Sequence, residues 1–423
     1  MEARSHKNHD CDCIRWCRAI RFPTNIVHLR LIQSLRKLRR VMFELRSTNS
    51  SSKARRGRLV TNRGTIETPA FMPVGTQGSV KAISPQELFE LDAKIILGNT
   101  YHLFVRPGLE VIRHFGGLHS FMNWTGPILT DSGGYQIFSL AKLRKITEEG
   151  VAFQNHLDGT AAFISPENAM EIQATLGSDI AMVLDECPPW PCEYDYAARS
   201  LEMTLRWAAR CKTASANRRG EDKTQLVFGI VQGSGFEDLR RSSAQALAEM
   251  NFDGYAIGGV SVGEPEPEMM AAVEWSEPYL PGDKARYAMG LGTPPQMIEL
   301  VARGVDLFDC VLPTRIARTG TAFTAGGTLN LKKAEFSMQK GPIEEGCQCP
   351  ACRGFARGYI RHLLKAEEIL GLRLLSVHNL HFYLDLMSRT RRAIDDGTFA
   401  EFRAQFVAGY KTRDGVHEVA AVH

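Results

Sequence analysis

The sequence lacks any run of apolar residues long enough to cross a membrane. A membrane-spanning helix needs roughly 18 or more consecutive apolar residues with few charges, and no segment of the 423 residues approaches this length. The first candidate strand is not followed by a G-x-G-x-x-G motif, which argues against a dinucleotide-binding fold. With 44% hydrophobic and 23% charged residues, the composition is that of an ordinary soluble globular protein.

An overall excess of charge of one sign is also lacking, since 51 Lys and Arg residues stand against 47 Asp and Glu residues. Residues 1–41 hold ten of the basic and three of the acidic residues, which leaves a net charge of −3 for the rest of the chain. Any nucleic-acid surface on that remaining part must therefore be a local basic patch.

Residues 1–52 are predicted to form a basic extension that is disordered or not native to the protein. Its polar stretch at 47–52 is typical of a flexible linker. Three interpretations stay open: a nucleic-acid-binding arm, an arginine-rich transit-like peptide, and upstream sequence wrongly joined to a true start at Met42. A weaker candidate metal site in the extension consists of Cys11, Cys13, Cys17, His6 and His9.

Eight short apolar runs alternate with helical patterns from about residue 57 onward. These runs are Ala70–Pro73, Lys94–Leu97, Pro127–Thr130, Ile180–Leu184, Leu226–Val231, Tyr255–Ile257, Arg286–Met289 and Val305–Phe308. Ser84 and Ser165 each precede a proline, which is typical of a helix N-cap followed by the first helical position. Alternating strands and helices predict an α/β fold with a parallel (β/α)8 TIM barrel, and a doubly wound open sheet is the alternative.

Polar or glycine residues stand where the predicted strands end. They are Asn99, Asp131, Asp185, Glu186, Gln232, Gly233, Gly258, Gly259, Gly290 and Asp309. In a TIM barrel these ends converge on the active site. Asp131 and Asp309 each follow a short apolar run, where poor solvation lets neighbouring groups set the pKa of a carboxyl. The pair is predicted to perform acid–base or nucleophilic chemistry; alternatively, each closes a turn or caps a helix.

Three cysteines lie within six positions, in the run Cys347-Gln348-Cys349-Pro350-Ala351-Cys352. His378 follows, on a helix predicted to begin near Leu374. Three thiolates and one imidazole suit tetrahedral Zn²⁺, and because four protein ligands leave no open position, the zinc is predicted to be structural. His381 is the alternative fourth ligand.

The chain is predicted to have three parts. Residues 1–52 are the extension, residues 53–335 form the first part of the catalytic barrel, and residues 336–423 form a zinc-binding subdomain with C-terminal helices that close the barrel. Zinc binding in such a subdomain contributes directly to its folding. Cysteines used for metal rather than disulfides indicate a reducing, cytoplasmic setting.

From about Lys53 to at least Tyr410 the sequence resembles the tRNA-guanine transglycosylases, specifically the bacterial-type queuine tRNA-ribosyltransferase family. The zinc cysteines and histidine are part of the resemblance. The other segments that carry it are Thr68–Thr76, Asn99–Leu103, Asp131–Gln136, Leu184–Cys187, Val231–Gly233, Gly258–Glu264 and Phe308–Arg315.

The resemblance implies a base exchange on tRNA in queuosine biosynthesis. The wobble guanine of GUN-anticodon tRNAs would be replaced by 7-aminomethyl-7-deazaguanine, through a double displacement with a covalent ribosyl-aspartate intermediate. By the resemblance, Asp309 is the nucleophile. Asp131 is the general acid and base that protonates the leaving guanine and deprotonates the incoming base.

The resemblance also implies a base pocket. Its residues are Asp185, Gln232, Gly259, Val260, Tyr135, Met289 and Ser132. Asp185 would accept N–H groups of the guanine edge. Gln232 and Gly259 would contact the base carbonyl, the Val260 carbonyl would meet the aminomethyl group, and Tyr135 would stack on the base opposite Met289.

Three further positions bear on substrate choice by the same resemblance. Val262, where eukaryotic members carry glycine, suggests the smaller bacterial base. Arg315 and Arg318 would contact the backbone of the anticodon loop. The intervening stretch departs from the usual family pattern at Ile316, Ala317 and Thr319.

The resemblance further implies a homodimer. Its contact would include the aromatic residues Phe355, Tyr359, His362 and Phe121, and the alternative is that these pack locally within one chain. Two other functions stay open: a non-catalytic tRNA-binding partner subunit, and a zinc-bearing barrel that hydrolyses nucleosides. A silent partner would not need both Asp131 and Asp309, whereas a hydrolase would use water rather than a free base as acceptor.

Overall fold

A computed structural model describes residues 42–140, 143–217 and 224–411, and a parallel eight-stranded barrel forms the main core of these residues. The barrel strands are β4 (Ala70–Met72), β5 (Ile96–Gly98), β6 (Ile128–Thr130), β10 (Ile180–Met182), β11 (Leu226–Val231), β12 (Gly254–Ile257), β13 (Ala285–Ala288) and β14 (Leu307–Asp309). Their order is β4-β14-β13-β12-β11-β10-β6-β5. A parallel bridge between Val74 and Leu97 joins the two outer strands. All eight predicted strands and the TIM-barrel fold are therefore confirmed.

Helices surround the barrel. They are α1 (Pro85–Glu90), α2 (Thr100–Val105), α3 (Leu109–His114), α4 (Leu118–Met122), α5 (Gly134–Leu140), α6 (Pro166–Leu176), α7 (Tyr194–Asn217), α8 (Glu237–Met250), α9 (Glu266–Ser276), α10 (Pro294–Ala302), α11 (Leu312–Arg318), α12 (Pro350–Gly354), α13 (Arg357–Lys365), α14 (Ile369–Asp395) and α15 (Phe399–Gly409). Ser84 and Ser165 cap α1 and α6 as predicted, each accepting a hydrogen bond from the third helical amide. No helix of the described ranges is long and apolar enough to span a bilayer.

An antiparallel sheet precedes the barrel and includes part of the expected extension. Its strands are β1 (Phe43–Thr48), β2 (Arg55–Thr61) and β3 (Gly64–Thr68). Phe43 is buried over Gly57, where any larger residue would collide with its ring. Because β1 also pairs with β2 along its length, Phe43–Thr48 is part of the folded chain, although residues 1–52 were predicted to be a disordered or non-native extension. Residues 1–41, with their five candidate metal ligands, lie outside the described residues.

Two smaller antiparallel sheets complete the fold. One consists of β7 (Arg144–Thr147), β8 (Gly150–Gln154) and β9 (Ala161–Ile164), and the other of β15 (Thr321–Thr324) and β16 (Gly327–Asn330). A second, smaller hydrophobic core lies around the cysteine run and includes Phe336, Ile343 and Leu375. Helix α14 links this core to the barrel, because other side chains of the same helix, such as Tyr383, belong to the main core.

A buried ion pair ties β2 to the amino-terminal end of the barrel. Arg55 and Asp306 are almost fully buried. The Arg55 Nε donates to Asp306 at 2.9 Å, and its other nitrogens bind Asp306 and the carbonyls of Gly282 and Lys284. Asp306 also accepts the backbone N–H of Arg286 at 2.7 Å. Every oxygen of this carboxylate is therefore paired, as a charge removed from water requires.

Removing one partner of this pair should destabilise the fold strongly. We expect Arg55→Ala to lower the free energy of unfolding by about 3–5 kcal/mol, because Asp306 is left buried and unpaired. Arg58→Ala is the matched control, since Arg58 pairs with Glu67 in the same sheet but near the surface, and should cost less than about 1 kcal/mol. Urea unfolding at one pH measures both. Equal losses would contradict the assignment.

Candidate active site

A cavity of about 330 Å³ opens at the carboxyl ends of the barrel strands. Ten of the predicted site residues line it: Asp131, Ser132, Tyr135, Asp185, Gln232, Gly259, Val260, Met289, Asp309 and Arg315. Arg318 does not line it, and its side chain is exposed one helical turn further along α11. The convergence follows from the barrel, which brings these residues from six different strand ends to one place.

Asp309 ends β14 and is 8% exposed. Its Oδ1 accepts the Tyr287 hydroxyl at 2.5 Å and the Gly290 amide at 2.7 Å. Burial raises the pKa of Asp309, while these two hydrogen bonds oppose the rise by favouring the ionised form. Both hydrogen bonds go to the same oxygen, which holds the carboxylate in a fixed direction.

Asp131 follows β6 and is 6% exposed. One of its oxygens accepts the Asn99 side-chain amide, and the other accepts the Thr100 backbone N–H at 2.8 Å. Burial raises the pKa of Asp131 to about 6, and the negative charge of Asp309 adds to the rise. Two carboxyls of one cavity thus influence each other, and the one with a pKa near neutrality can both give and take a proton.

Asp185 follows β10, the neighbour of β6 in the barrel. It accepts the Ser132 hydroxyl at 2.8 Å and the Gln232 amide at 2.7 Å. Burial raises its pKa, and the neighbouring Glu186 adds to the rise. The Gln232 Oε1 atom is buried without a hydrogen-bond partner. A buried polar atom left open in a cavity is typical of a site that a polar ligand completes.

The cavity also presents apolar surfaces and a close backbone approach. Tyr135 and Met289 line it together, and burial raises the pKa of Tyr135 to about 12, so its hydroxyl stays neutral. Gly259 has a φ of 58°, and a Cβ there would lie 2.4 Å from the Gln232 Oε1. Only glycine fits this position. Val262 lines the same cavity.

Some polar strand ends do not reach the cavity. Glu186 accepts the Tyr196 hydroxyl at 2.5 Å and is not part of the lining, nor is Gly233, which packs against the backbone of α8. Sequence reasoning also missed two residues, Tyr287 and Arg240. Arg240 stands on the apolar stripe of α8, three and four residues before buried positions, and that spacing was the available signal.

A second cluster of functional side chains contains the three cysteines of the 347–352 run and His378. The ligand atoms of Cys347, Cys349, Cys352 and His378 lie within 4.8 Å of one another. The three sulfurs are 3.4–3.7 Å from the His378 Nδ1. His378 Nε2 lies 2.7 Å from the Phe323 carbonyl, which directs Nδ1 toward the sulfurs.

The cluster fits a structural zinc ion. Tetrahedral Zn²⁺ with ordinary bond lengths separates a sulfur and a nitrogen ligand by about 3.6 Å. His381 Nδ1 is 3.7 Å from Cys347 alone and is not in the set, so the structure selects His378 over His381. Helix α14 begins at Ile369 rather than near Leu374. Leu374 and Leu375 are buried and lie within the helix rather than at its start.

Loss of a zinc ligand should remove the metal and loosen this part of the fold. We expect Cys349→Ser to bind no zinc by elemental analysis and to unfold at a temperature lower by about 10 °C or more, because metal binding here stabilises the folded state. Cys192→Ser, at a half-buried cysteine outside the cluster, is the control and should keep both values. A zinc content that does not differ between the two variants would refute the site.

Comparison with known proteins identifies the family. Residues 50–412 match the family model described as "Queuine tRNA-ribosyltransferase". The chain belongs to the queuine tRNA-ribosyltransferase family. It is 57% identical over 367 residues to the queuine tRNA-ribosyltransferase of Symbiobacterium thermophilum, covering 87% of this chain and 91% of the relative. It is 55% identical over 370 residues to that of Staphylococcus aureus strain JH9, covering 88% and 97%.

Queuine tRNA-ribosyltransferases are tRNA-guanine transglycosylases, a class of pentosyltransferase, and the matched region contains the whole cavity lining and the metal cluster. The four residues predicted to lie at a homodimer contact form two groups in this chain. Phe355 stacks on Tyr359 at 5.8 Å, whereas Phe121 packs edge-on against Phe115 at 5.2 Å. His362 and Tyr359 are exposed. Within the described residues, no ring contact joins the two groups.

Proposed function

We propose that this chain exchanges the wobble guanine of GUN-anticodon tRNAs for 7-aminomethyl-7-deazaguanine, in the cytoplasm and as a step of queuosine biosynthesis. One observation carries the proposal: Asp131 and Asp309 enter the same cavity, one with both oxygens hydrogen-bonded and a pKa near 6, the other held by Tyr287 and Gly290. Such a pair suits a displacement in which one carboxylate attacks and the other moves a proton.

In the first half of the proposed reaction, an Asp309 oxygen attacks C1′ of the target ribose. The C1′–N9 bond of guanine breaks, and protonated Asp131 gives its proton to the leaving base. In the second half, Asp131 takes the N9 proton of the incoming base, whose nitrogen attacks C1′ and breaks the ester to Asp309. Two displacements at one carbon retain its configuration, and no water is consumed.

The base would lie between Tyr135 and Met289 with its polar edge toward Asp185. That carboxylate is buried and accepts two hydrogen bonds. Because the two oxygens of a carboxylate offer about four acceptor sites, it can also accept the N–H groups of a guanine edge. Gln232 uses one N–H on Asp185 and has a second for the base carbonyl. Ser132 would hold Asp185 in place, with the Gly259 amide and the Val260 carbonyl completing the pocket.

The remaining assignments follow from the same family membership. We place the RNA backbone against Arg315, at the cavity mouth, and Arg318, whose side chain is exposed beside it. Zn²⁺ would be held by the Cys3His cluster as a structural ion. A homodimer would bury Tyr359 and His362, and Phe121 and Phe355 would lie at the same contact. The folded chain would divide near residue 335 into barrel and zinc subdomain.

Incubation with labelled guanine and unmodified tRNA tests the proposal. We expect label to enter the tRNA and to be released again by 7-aminomethyl-7-deazaguanine. Binding of tRNA without label entry would point to a non-catalytic partner subunit. Release of free guanine without label entry would point to a hydrolase.

A further inference from the structure

Arg240 is the largest charged side chain that is fully buried among the described residues, with 0% exposure. It lies on α8, behind the ends of β11 and β12, and does not line the cavity. No carboxylate of the described residues lies within ion-pair distance of it. Burial lowers its pKa to about 10, so the guanidinium still carries its charge at neutral pH.

Main-chain carbonyls surround this guanidinium. Its Nε donates to the Ser234 carbonyl at 2.8 Å, and Nη1 donates to Gly258 at 2.6 Å and to Val231 at 3.3 Å. Its Nη2 donates to the Gly259 carbonyl at 2.9 Å. Four carbonyls from two strand ends thus converge on one cation. Burying a charged side chain costs free energy, because the charge is removed from water, and packing alone would not require a charge here.

The Gly258 carbonyl belongs to the same peptide unit as the Gly259 N–H. A cation bound to the carbonyl oxygen polarises the peptide and makes its N–H a stronger donor. Arg240 also fixes the next peptide through the Gly259 carbonyl. Arg240 therefore fixes the peptides on both sides of the Gly259 Cα. In this position Gly259 lies so close to Gln232 that a Cβ would not fit.

We propose that Arg240 is a positioning residue for the base: it aims the Gly259 amide at the base carbonyl and stabilises negative charge that collects on that oxygen when the base leaves or loses its proton. This inference rests on the proposed function. The effect reaches the base through the peptide, so Arg240 touches neither the ribose nor the reacting nitrogen. A fixed dipole backed by a buried cation needs no rearrangement when the charge develops.

The test compares Arg240→Lys with Arg286→Lys in the full-length enzyme. Arg286 is also buried and binds carbonyls and Glu277, but it lies at the opposite end of the barrel. We expect both variants to unfold at a lower temperature. Arg240→Lys alone should weaken guanine binding by about tenfold or more, since a charge-assisted contact is lost, with tRNA affinity changed by less than about twofold.

A base analogue separates a specific effect of Arg240 on the base carbonyl from a general distortion of the pocket. The 2-aminopurine ring lacks the carbonyl oxygen, so we expect wild type and Arg240→Lys to bind it with equal affinity. Guanine, in contrast, should bind more weakly to Arg240→Lys than to wild type. An equal loss for both bases, or the same loss in Arg286→Lys, would overturn the inference. If wild type binds tRNA but no guanine, the proposed function fails instead, so the two failures are distinguishable.

Discussion

Asp309→Ala should lower guanine exchange by at least about 10⁴-fold, because no other described carboxylate is held by Tyr287 and Gly290 toward the same cavity. Affinity for tRNA should stay within about threefold of wild type, since the RNA backbone is bound elsewhere. Asp283→Ala removes an exposed aspartate near the amino-terminal end of β13 and is the matched control. Initial rates with labelled guanine and binding of labelled tRNA measure both quantities.

Two outcomes would contradict this prediction. Exchange at the wild-type rate in Asp309→Ala would exclude the residue as nucleophile. A parallel collapse of tRNA binding and of thermal stability would show that Asp309 supports the fold rather than the reaction. Asp309→Asn keeps the shape and an acceptor for Tyr287, so we expect it to be folded and equally inactive.

Asp131→Asn should lower the rate of guanine release by about 10²–10⁴-fold, the usual contribution of a general acid. The wild-type rate of this half-reaction should also depend on pH. Because the pKa of Asp131 is raised to about 6, the proton it must donate is lost as the pH rises through 6, and the rate should fall above that value. In Asp131→Asn no proton titrates there, so the fall should disappear.

Single-turnover release of guanine, followed from pH 5 to 8 without an incoming base, measures this dependence. Asn99→Ala provides an independent check, since the Asn99 amide favours the ionised form of Asp131. Its loss should move the fall to higher pH. A wild-type profile that rises through pH 6, or one unchanged in Asp131→Asn, would assign the proton transfer to another group.

The barrel was predictable because its strands are short, apolar and alternate with helical patterns, and because serine–proline pairs mark two of its helix starts. The convergence of the site follows from the barrel alone. The pairing of Asp131 with Asn99 and Thr100 does not, because it depends on side-chain directions that neither periodicity nor spacing encodes.

Buried arginines were the least predictable features. Arg55 lies in a segment rich in charged residues, and Arg240 follows another charged pair on α8, so both sequences suggest solvated surface. Their partners, Asp306 and a set of carbonyls, are distant in the chain or belong to the backbone. Residue type alone also left His378 and His381 equivalent as zinc ligands. The Phe323 carbonyl distinguishes them.

The most direct measurement of the central claim is to trap the ribosyl-enzyme. Enzyme and unmodified tRNA are mixed without an incoming base and denatured, and the protein–RNA adduct is digested and mapped by mass spectrometry. The account predicts an adduct on the peptide containing Asp309, which disappears when guanine is added before denaturation. Base exchange that proceeds with an adduct on another residue, or with none, would contradict it.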